Sequence, residues 1–315
     1  MTVLTYSDIE AAAARIAGRV RPVTVAPADE NGLLFALEFM QNTGTFKARG
    51  AQNFIQAHLA EGTFPDAGVT IASGGNAGLA CAWAARAAQV PATVFLPSTA
   101  PSVKVERLRS YGAQVELVGS EFAEAAAACQ EFVDSSGALA SHAYDHTLIA
   151  AGAGTLMAEI LAQVPGLDTV VVSVGGGGLF AGVATAATHH GVRTVAVEPE
   201  NCRALNAAVE AGEPVDVTVD SVASDSLGAR RATPLALDAA RSDLVTSVLV
   251  SDDAIIGARQ HLWAEHRLAV EHAAATALAG VSGADDEKKA GGYVPAEGEK
   301  VCVVLCGANT SLSDL

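Results

Sequence analysis

The sequence has little positive charge. Its 19 lysine and arginine residues are outnumbered by 35 aspartate and glutamate residues, which gives a formal net charge of −16 at pH 7. A surface of this sign repels the phosphates of nucleic acids and the headgroups of anionic lipids. We therefore expect neither a nucleic acid nor a membrane as a partner, and a small molecule is the expected ligand.

Cysteine is also scarce, and it carries no metal or redox signature. The five cysteines are scattered along the chain: Cys81, Cys129, Cys202, Cys302 and Cys306. No pair has the spacing of a zinc site or of a thioredoxin-type motif. Cys302 and Cys306 would lie about 13 Å apart along one strand, which is too far for a disulfide. The sequence predicts a reduced, cytoplasmic protein without a metal site.

A clear membrane-spanning segment is missing as well. The N-terminus lacks the apolar core of a signal peptide. Residues 169–188 are uncharged over the length of a membrane span, but Gly175–Gly178 interrupt them. A buried strand, a glycine loop and a helix explain this stretch better than a membrane helix does.

The sequence is rich in short apolar segments that alternate with helical patterns. Val69–Ala72 and Ala92–Leu96 are examples of the apolar segments. This alternation predicts an α/β protein with parallel-rich open sheets and helices on both faces. The 315 residues are enough for two domains. We expect a large domain of residues 1–57 and 145–315, with a small domain of residues 58–144 inserted in it.

One lysine, Lys47, follows a small polar turn and starts a helical pattern. Thr43 or Thr45 is the predicted N-cap of that helix. The positive end of the helix dipole disfavours an ammonium group there, so we expect a lowered pKa for Lys47. The neutral amine is the form that attacks a carbonyl to make a Schiff base. A lone lysine is more often a surface residue, so this hypothesis depends on the other motifs.

Two further loops follow strands and open helices. In Ser73–Gly78 the free backbone amides, the Ser73 hydroxyl and the Asn76 amide suit a carboxylate. In Gly175–Gly178 the absence of side chains lets a phosphate touch the backbone. Each loop, taken alone, is also compatible with an ordinary strand-to-helix turn.

The second glycine loop has a rival interpretation. Gly176, Gly178 and Ala181 fit a dinucleotide-binding pattern, and Glu198 ends the next strand at the distance expected for a ribose contact. This stretch alone leaves an NAD-dependent oxidoreductase open. At the other end of the chain, Cys306 follows the last strand, at the sheet edge where open α/β proteins bind ligands.

Four segments together resemble the fold-type II pyridoxal-phosphate enzymes, specifically the threonine/serine dehydratase group with its serine racemase relatives. Thr43–Ala51 resembles the cofactor-lysine motif, and Ser73–Gly78 resembles the asparagine loop. Gly175–Leu179 resembles the phosphate loop, and Leu305–Asn309 resembles the segment that meets the pyridine nitrogen. The resemblance spans nearly the whole chain and implies a two-domain fold like that of the tryptophan synthase β subunit.

The resemblance also implies roles for individual residues. Lys47 would hold pyridoxal 5'-phosphate as a Schiff base and would act as the base at the substrate α-carbon. The implied cofactor contacts are Phe46 beside the ring, Asn76 at the ring hydroxyl, Cys306 at the ring nitrogen, and Gly175, Gly176, Gly177 and Gly178 at the phosphate. The implied substrate-binding residues are Ser73, Gly74, Gly75, Asn76 and Ala77.

The implied activity is β-elimination from L-threonine or L-serine, which yields a 2-keto acid and ammonia. A neutral thiol at Cys306 makes the cofactor ring a weaker electron sink, which suits prompt loss of a β-hydroxyl. The resemblance further implies a homo-oligomer, most simply a dimer. Gly74 stands where racemases of the family carry a second catalytic serine, so a racemase or another β-eliminating lyase is the alternative within the family. An oxidoreductase and a non-catalytic binding protein are the alternatives from other classes.

Overall fold

The computed structural model describes residues 3–29, 32–281 and 292–311. Its helices are α1 Tyr6–Ile16, α2 Lys47–Ala60, α3 Asn76–Ala88, α4 Ser102–Ser110, α5 Phe122–Ser136, α6 Thr147–Gln163, α7 Gly178–His189, α8 Ala204–Ala211, α9 Ser224–Leu227, α10 Pro234–Ala239, α11 Asp252–His266 and α12 His272–Ala279. Its strands are β1 Val25–Pro27, β2 Leu33–Ala36, β3 Val69–Ala72, β4 Ala92–Leu96, β5 Gln114–Leu117, β6 Leu139–Ala140, β7 Thr169–Ser173, β8 Arg193–Pro199, β9 Val245–Val250 and β10 Val301–Val304.

The larger sheet has six strands in the order β1-β2-β10-β7-β8-β9. Only β1 runs antiparallel to its neighbour, and the other pairs are parallel. Val303 in β10 lies opposite both Phe35 and Val171, and β7 is buried along its whole length. Strands that are covered on both faces are apolar throughout, which explains the valine-rich pattern of β7. The predicted parallel-rich sheet is confirmed.

The smaller sheet has four parallel strands in the order β5-β4-β3-β6. All four lie between residues 69 and 140, inside the expected small domain. Phe54 and Ile55 of α2 pack into the core beneath this sheet. The expected boundary at residues 57 and 58 therefore falls within α2, close to its end at Ala60. The division into two domains stays a prediction.

A buried ion-pair network fixes the first turn of α2. The guanidinium of Arg49 donates from Nε to Glu38 at 2.7 Å and from Nη1 to Glu159 at 2.7 Å. Nη1 also donates to the hydroxyl of Thr155 at 3.2 Å. A buried charge is costly unless it is paired and hydrogen-bonded, and this arrangement supplies both. The network ties the start of α2 to α6, and Lys47 lies two residues before Arg49.

The uncharged stretch of residues 169–188 forms β7, the glycine loop and most of α7, as predicted. Across the described parts of the chain, no helix has both the length and the apolar character that a membrane crossing requires. The five cysteines are free and buried.

Candidate active site

Lys47 is the first residue of α2. The predicted N-cap was wrong, because the cap position belongs to Phe46, whose side chain makes no capping hydrogen bond. The hydroxyl of Thr45 instead accepts a hydrogen bond from the backbone N–H of Lys47 at 3.1 Å. The threonine still satisfies one of the amides left free at the helix start, from one position further back.

The amine of Lys47 lies between a backbone carbonyl and an aromatic ring, largely shielded from solvent. Its Nζ donates a hydrogen bond to the carbonyl of Ala143 at 2.7 Å and lies 4.7 Å from the centroid of the Phe46 ring. Burial lowers the pKa of Lys47 to about 8, although the nearby Cys306 and Glu271 act in the opposite direction. Desolvation penalises the ammonium form, so a substantial fraction of the amine is neutral near physiological pH. This is the state that a nucleophilic amine requires.

The glycine loop Gly175–Gly178 leads from β7 into α7. Gly177 has a φ of 94°, a conformation that side chains disfavour. A Cβ on Gly176 would overlap the ring of Tyr144, and a Cβ on Gly178 would lie 2.7 Å from the carbonyl oxygen of Tyr144. The loop therefore has room for backbone only. The first amides of an α-helix such as α7 have no intrahelical acceptor, which is an arrangement that favours an anion.

Cys306 lies just beyond β10 and next to the lysine turn. Its carbonyl accepts a hydrogen bond from the N–H of Phe46 at 3.0 Å. Its Sγ lies 3.7 Å from the hydroxyl of Ser173 at the end of β7. Burial and the charge of Glu271 raise the pKa of Cys306 to about 12, although Ser173 and Lys47 lower it. Cys306 is therefore a neutral thiol at the carboxyl edge of the larger sheet.

The loop before α3 brings Asn76 to the same place. The side-chain Nδ2 of Asn76 donates to both carboxylate oxygens of Glu271, each at 3.0 Å. Its Oδ1 accepts a hydrogen bond from the side chain of Asn309 at 2.7 Å. The Ser73 hydroxyl accepts from the N–H of Gly75 at 3.4 Å. Asn76 thus connects the smaller sheet to the segment that follows Cys306.

Gly74 and Ala77, the other two predicted substrate-binding residues of this loop, make no side-chain hydrogen bond. Gly74 lies against Leu96, so closely that a Cβ would overlap the end of that side chain. Ala77 is half-buried in the first turn of α3. Both belong to the loop that the sequence selects for a substrate carboxylate, and neither has a side-chain polar group. Any contact with a carboxylate here would come from their backbone amides.

Two residues of the site were not among the predicted site residues. Glu271 is buried at the N-terminus of α12 and also accepts a hydrogen bond from the N–H of Asn309 at 2.8 Å. Burial raises the pKa of Glu271, although Asn76, Asn309 and Lys47 lower it. Tyr144 lines one cavity together with Lys47, Phe46 and Leu179. Neither residue belongs to a motif of the sequence analysis, and no local sequence signal places either of them in the site.

Glu198, the candidate ribose-binding residue of the dinucleotide interpretation, contacts the start of α8. The two carboxylate oxygens of Glu198 accept hydrogen bonds from the N–H groups of Leu205 at 2.7 Å and Asn206 at 2.8 Å. Glu198 is fully buried, and burial raises its pKa to about 7. Its oxygens are taken up by the start of α8, so they do not face the glycine loop as a ribose contact would require.

The histidines do not assemble into a ligand set. The ring Nδ1 of His142 accepts hydrogen bonds from the backbone N–H groups of Tyr144 at 3.2 Å and Asp145 at 2.8 Å. His146 caps α6 by accepting from the N–H of Leu148 at 3.1 Å. Over residues 3–29, 32–281 and 292–311, no group of three or more histidine, cysteine, aspartate or glutamate residues is placed to hold a metal ion.

The fold and site can be compared with known proteins. A family model described as "Pyridoxal-phosphate dependent enzyme" matches residues 19–307. The L-threonine ammonia-lyase of Geobacter sulfurreducens is 35% identical over 285 residues, which cover 88% of this chain and 70% of that protein. The human protein named serine dehydratase-like is 35% identical over 279 residues, which cover 86% of this chain and 83% of that protein. The structure of maize serine racemase has a TM-score of 0.87 at 29% identity and covers 99% of this chain and 96% of its own.

Proposed function

The chain belongs to the pyridoxal-phosphate-dependent enzymes, and from this premise we propose that it is an ammonia-lyase acting on L-threonine or L-serine. The reaction removes the α-proton and the β-hydroxyl and ends with a 2-keto acid and ammonia. The observation that carries the proposal is the meeting of a partly neutral Lys47, the glycine loop and the neutral thiol of Cys306 around one site. The two ammonia-lyase and dehydratase relatives support the same activity.

The residues of the site fit pyridoxal 5'-phosphate. The backbone-only surface of Gly175–Gly178 and the free amides of α7 suit its phosphate. Lys47 suits its aldehyde, and Phe46 beside the amine offers an apolar face for the ring. The bound cofactor supplies a conjugated ring that takes up electron density from the substrate α-carbon. Each of these contacts would be made by a residue that the sequence analysis assigns to this role.

The protonation states of Lys47 and Cys306 indicate what each side chain would do in the reaction. Lys47 in its neutral form can accept the α-proton, and its lowered pKa keeps it ready near neutral pH. The Cys306 thiol keeps its own proton at pH values well below about 12. A neutral thiol at this position would add no negative charge to a cofactor ring held here, as an aspartate would. This property of Cys306 would suit rapid departure of the β-hydroxyl.

The substrate amino acid is held, in this proposal, by the loop Ser73–Ala77. Its backbone amides and the Ser73 hydroxyl lie at the start of α3, where the helix dipole favours a carboxylate. Asn76 is anchored to Glu271 and Asn309, so the loop is fixed relative to the larger sheet. The loop can thus orient the substrate α-carbon relative to Lys47.

The first test is direct. The purified protein should absorb in the visible range, and borohydride reduction followed by tryptic mapping should place the adduct on Lys47. Lys47→Ala should lower keto-acid formation from L-threonine by at least about 10²-fold, because it removes the base and the cofactor anchor. Lys104→Ala, at an exposed position on α4, is the matched control. A protein that stays colourless after pyridoxal 5'-phosphate is added, or a Lys47→Ala variant as active as Lys104→Ala, would overturn the proposal.

A second candidate function is amino-acid racemisation, which the similarity to maize serine racemase favours. Gly74 has no hydroxyl to return a proton from the opposite face of the substrate, so we place this activity second. Chiral chromatography of an L-serine reaction decides between the two. Keto acid without D-serine supports the lyase, and accumulation of D-serine supports the racemase.

The proposal includes a homodimer that works in the cytoplasm. The five free, buried cysteines are compatible with a reducing compartment. Large apolar side chains such as Val103 and Phe122 are exposed at 66% and 63%, a feature that subunit contacts would cover. Light scattering coupled to size-exclusion chromatography gives the mass in solution, and a monomer mass would contradict the dimer.

A further inference from the structure

The side chain of Tyr144 lies between the two parts of the site that the proposed function uses. We propose that Tyr144 is a positioning residue whose ring covers the Lys47 amine and supports the glycine loop. In this arrangement the lysine and the phosphate-binding amides face one cavity. The inference rests on the proposed cofactor site, and it adds a residue from the β6–α6 connection that no motif had marked.

The contact with the glycine loop is the first support. The ring atoms Cγ, Cδ2 and Cε2 of Tyr144 occupy the space that a Cβ on Gly176 would need. The backbone of Tyr144 also lies close to Gly178, where a Cβ would be 2.7 Å from the carbonyl oxygen and 3.0 Å from Cα. The ring and the peptide therefore lie directly on the loop backbone. Packing this close holds the loop in one conformation.

The contact with Lys47 is the second support. Nζ donates to the carbonyl of Ala143, the residue before Tyr144, and lies 5.9 Å from the centroid of the Tyr144 ring. Both side chains line the same cavity, together with Ile149 and Leu179. The Tyr144 ring can therefore shield the amine from water as long as the ring keeps this position.

His142 holds Tyr144 in position through a backbone hydrogen bond and a ring contact. Its Nδ1 accepts the backbone N–H of Tyr144 at 3.2 Å, and its ring meets the Tyr144 ring edge-on at 5.0 Å between centroids. Such aromatic pairs prefer edge-to-face geometry at this distance. All the contacts described for Tyr144 are made by its ring or its backbone, and none by its hydroxyl oxygen. The ring is therefore the part that the proposal needs.

The electrostatic consequence has a definite sign. Lys47 interacts electrostatically with Glu271, Cys306 and His142. Burial lowers the pKa of Lys47 and prevails over the ionised carboxylate of Glu271, which favours the ammonium form; Cys306 would favour that form only as a thiolate. A cation–π contact with Tyr144 would also favour the ammonium, but its distance is near the limit of about 6 Å for such contacts. Removal of the ring should therefore admit water and raise the pKa of Lys47.

The test measures cofactor binding and not turnover. Apo-protein is titrated with pyridoxal 5'-phosphate at equilibrium, and the dissociation constant is compared among Tyr144→Ala, Tyr144→Phe and Trp263→Ala. We expect Tyr144→Ala to bind about tenfold more weakly or worse, as supporting residues of a bound group do. Tyr144→Phe, which keeps the ring, should weaken binding by less than about threefold. Trp263→Ala is the control for loss of an aromatic ring, on α11 and 39% exposed.

A second readout isolates the lysine. Reductive ¹³C-methylation of the apo-protein gives an NMR signal for Lys47, which is assigned by its loss in Lys47→Ala. We expect its titration midpoint in Tyr144→Ala to move upward from that of the wild type. Equal cofactor affinity in Tyr144→Ala and Trp263→Ala, or an unmoved midpoint, would overturn the proposal.

A misfolded Tyr144→Ala variant and a wild-type protein that does not bind the cofactor each have a defined consequence. If Tyr144→Ala does not fold, as judged by circular dichroism, Tyr144→Leu is measured in its place and must still bind at least about fivefold more weakly. A Tyr144→Leu variant with wild-type affinity overturns the proposal. A wild-type protein that does not bind pyridoxal 5'-phosphate overturns the proposed function, whereas a wild-type protein that binds it alongside an equally tight Tyr144→Ala overturns only this inference.

Discussion

The amine of Lys47 should titrate well below an ordinary lysine. With a pKa of about 8, about one amine in ten is neutral at pH 7, against fewer than one in a thousand for a free lysine. The rate at which apo-protein captures pyridoxal 5'-phosphate should therefore rise about tenfold per pH unit up to about pH 8 and then level off. Stopped-flow absorbance measures this rate, with a capped free lysine as the control. A rise that continues in parallel with the free lysine would contradict the prediction.

Glu271 raises the pKa of Lys47 and so opposes the effect of burial. Its charge favours the ammonium form of Lys47, so Glu271→Gln should move the capture midpoint to lower pH. The substitution also replaces one of the two accepting oxygens by an NH2 donor that faces the donating Nδ2 of Asn76, which weakens the hydrogen bonding that holds the substrate loop. The same stopped-flow series gives the midpoint. Glu61→Gln, an exposed change at the far end of α2, is the matched control, and a midpoint that moves upward would refute the assignment.

At the scale of elements, the first turn of α2 depends on the buried ion pairs of Arg49. Arg49→Met leaves Glu38 buried without its partner, which should lower the free energy of unfolding by about 3–5 kcal/mol. Adding Glu38→Met removes the unpaired buried carboxylate and should recover part of the lost stability. The remaining carboxylate, Glu159, has a side chain that is 31% exposed and can be solvated. Urea unfolding measures both variants.

The matched control for this network is Arg231→Ala. Arg231 and Asp216 form an ion pair whose side chains are 57% and 63% exposed, so its loss should change stability by less than about 1 kcal/mol. A cost for Arg49→Met no larger than that of Arg231→Ala would mean that the buried network does not hold α2.

The elements also show what local sequence could and could not predict. β3 and β4 have the predicted bounds, since each is a short apolar run bounded by turn residues. Thr43 adopts a φ of 65°, a left-handed conformation that local preference assigns to glycine rather than to a β-branched residue. Lys47 meets the carbonyl of residue 143 across 96 positions, and Asn76 meets Glu271 across 195. Contacts of that separation depend on the assembled sheets, so no local pattern could have placed Glu271 or Tyr144 in the site.

At the scale of the whole molecule, the site is formed where the two sheets meet. Asn76 comes from the helix that follows β3. Its partner Glu271 lies at the start of α12, and its partner Asn309 follows β10. Arg107 on α4 adds an exposed contact by donating to Asn309 at 2.7 Å. Lys47 and the glycine loop, by contrast, both flank the larger sheet. Cofactor binding should therefore stabilise the larger unit first.

Calorimetry can test this asymmetry together with the predicted domains. If residues 58–144 unfold as a domain of their own, the apo-protein should show two transitions rather than one. Pyridoxal 5'-phosphate at a hundred times its dissociation constant adds about 2.7 kcal/mol to the state that binds it. The transition of the larger unit should then rise by about 5–11 °C, and the other should move less. Lys47→Ala should lose most of this rise. A single transition that shifts as a whole would mean that the two sheets unfold as one unit. Helix α2 would then couple them, because it packs against α3 beside the smaller sheet and against α6 beside the larger sheet.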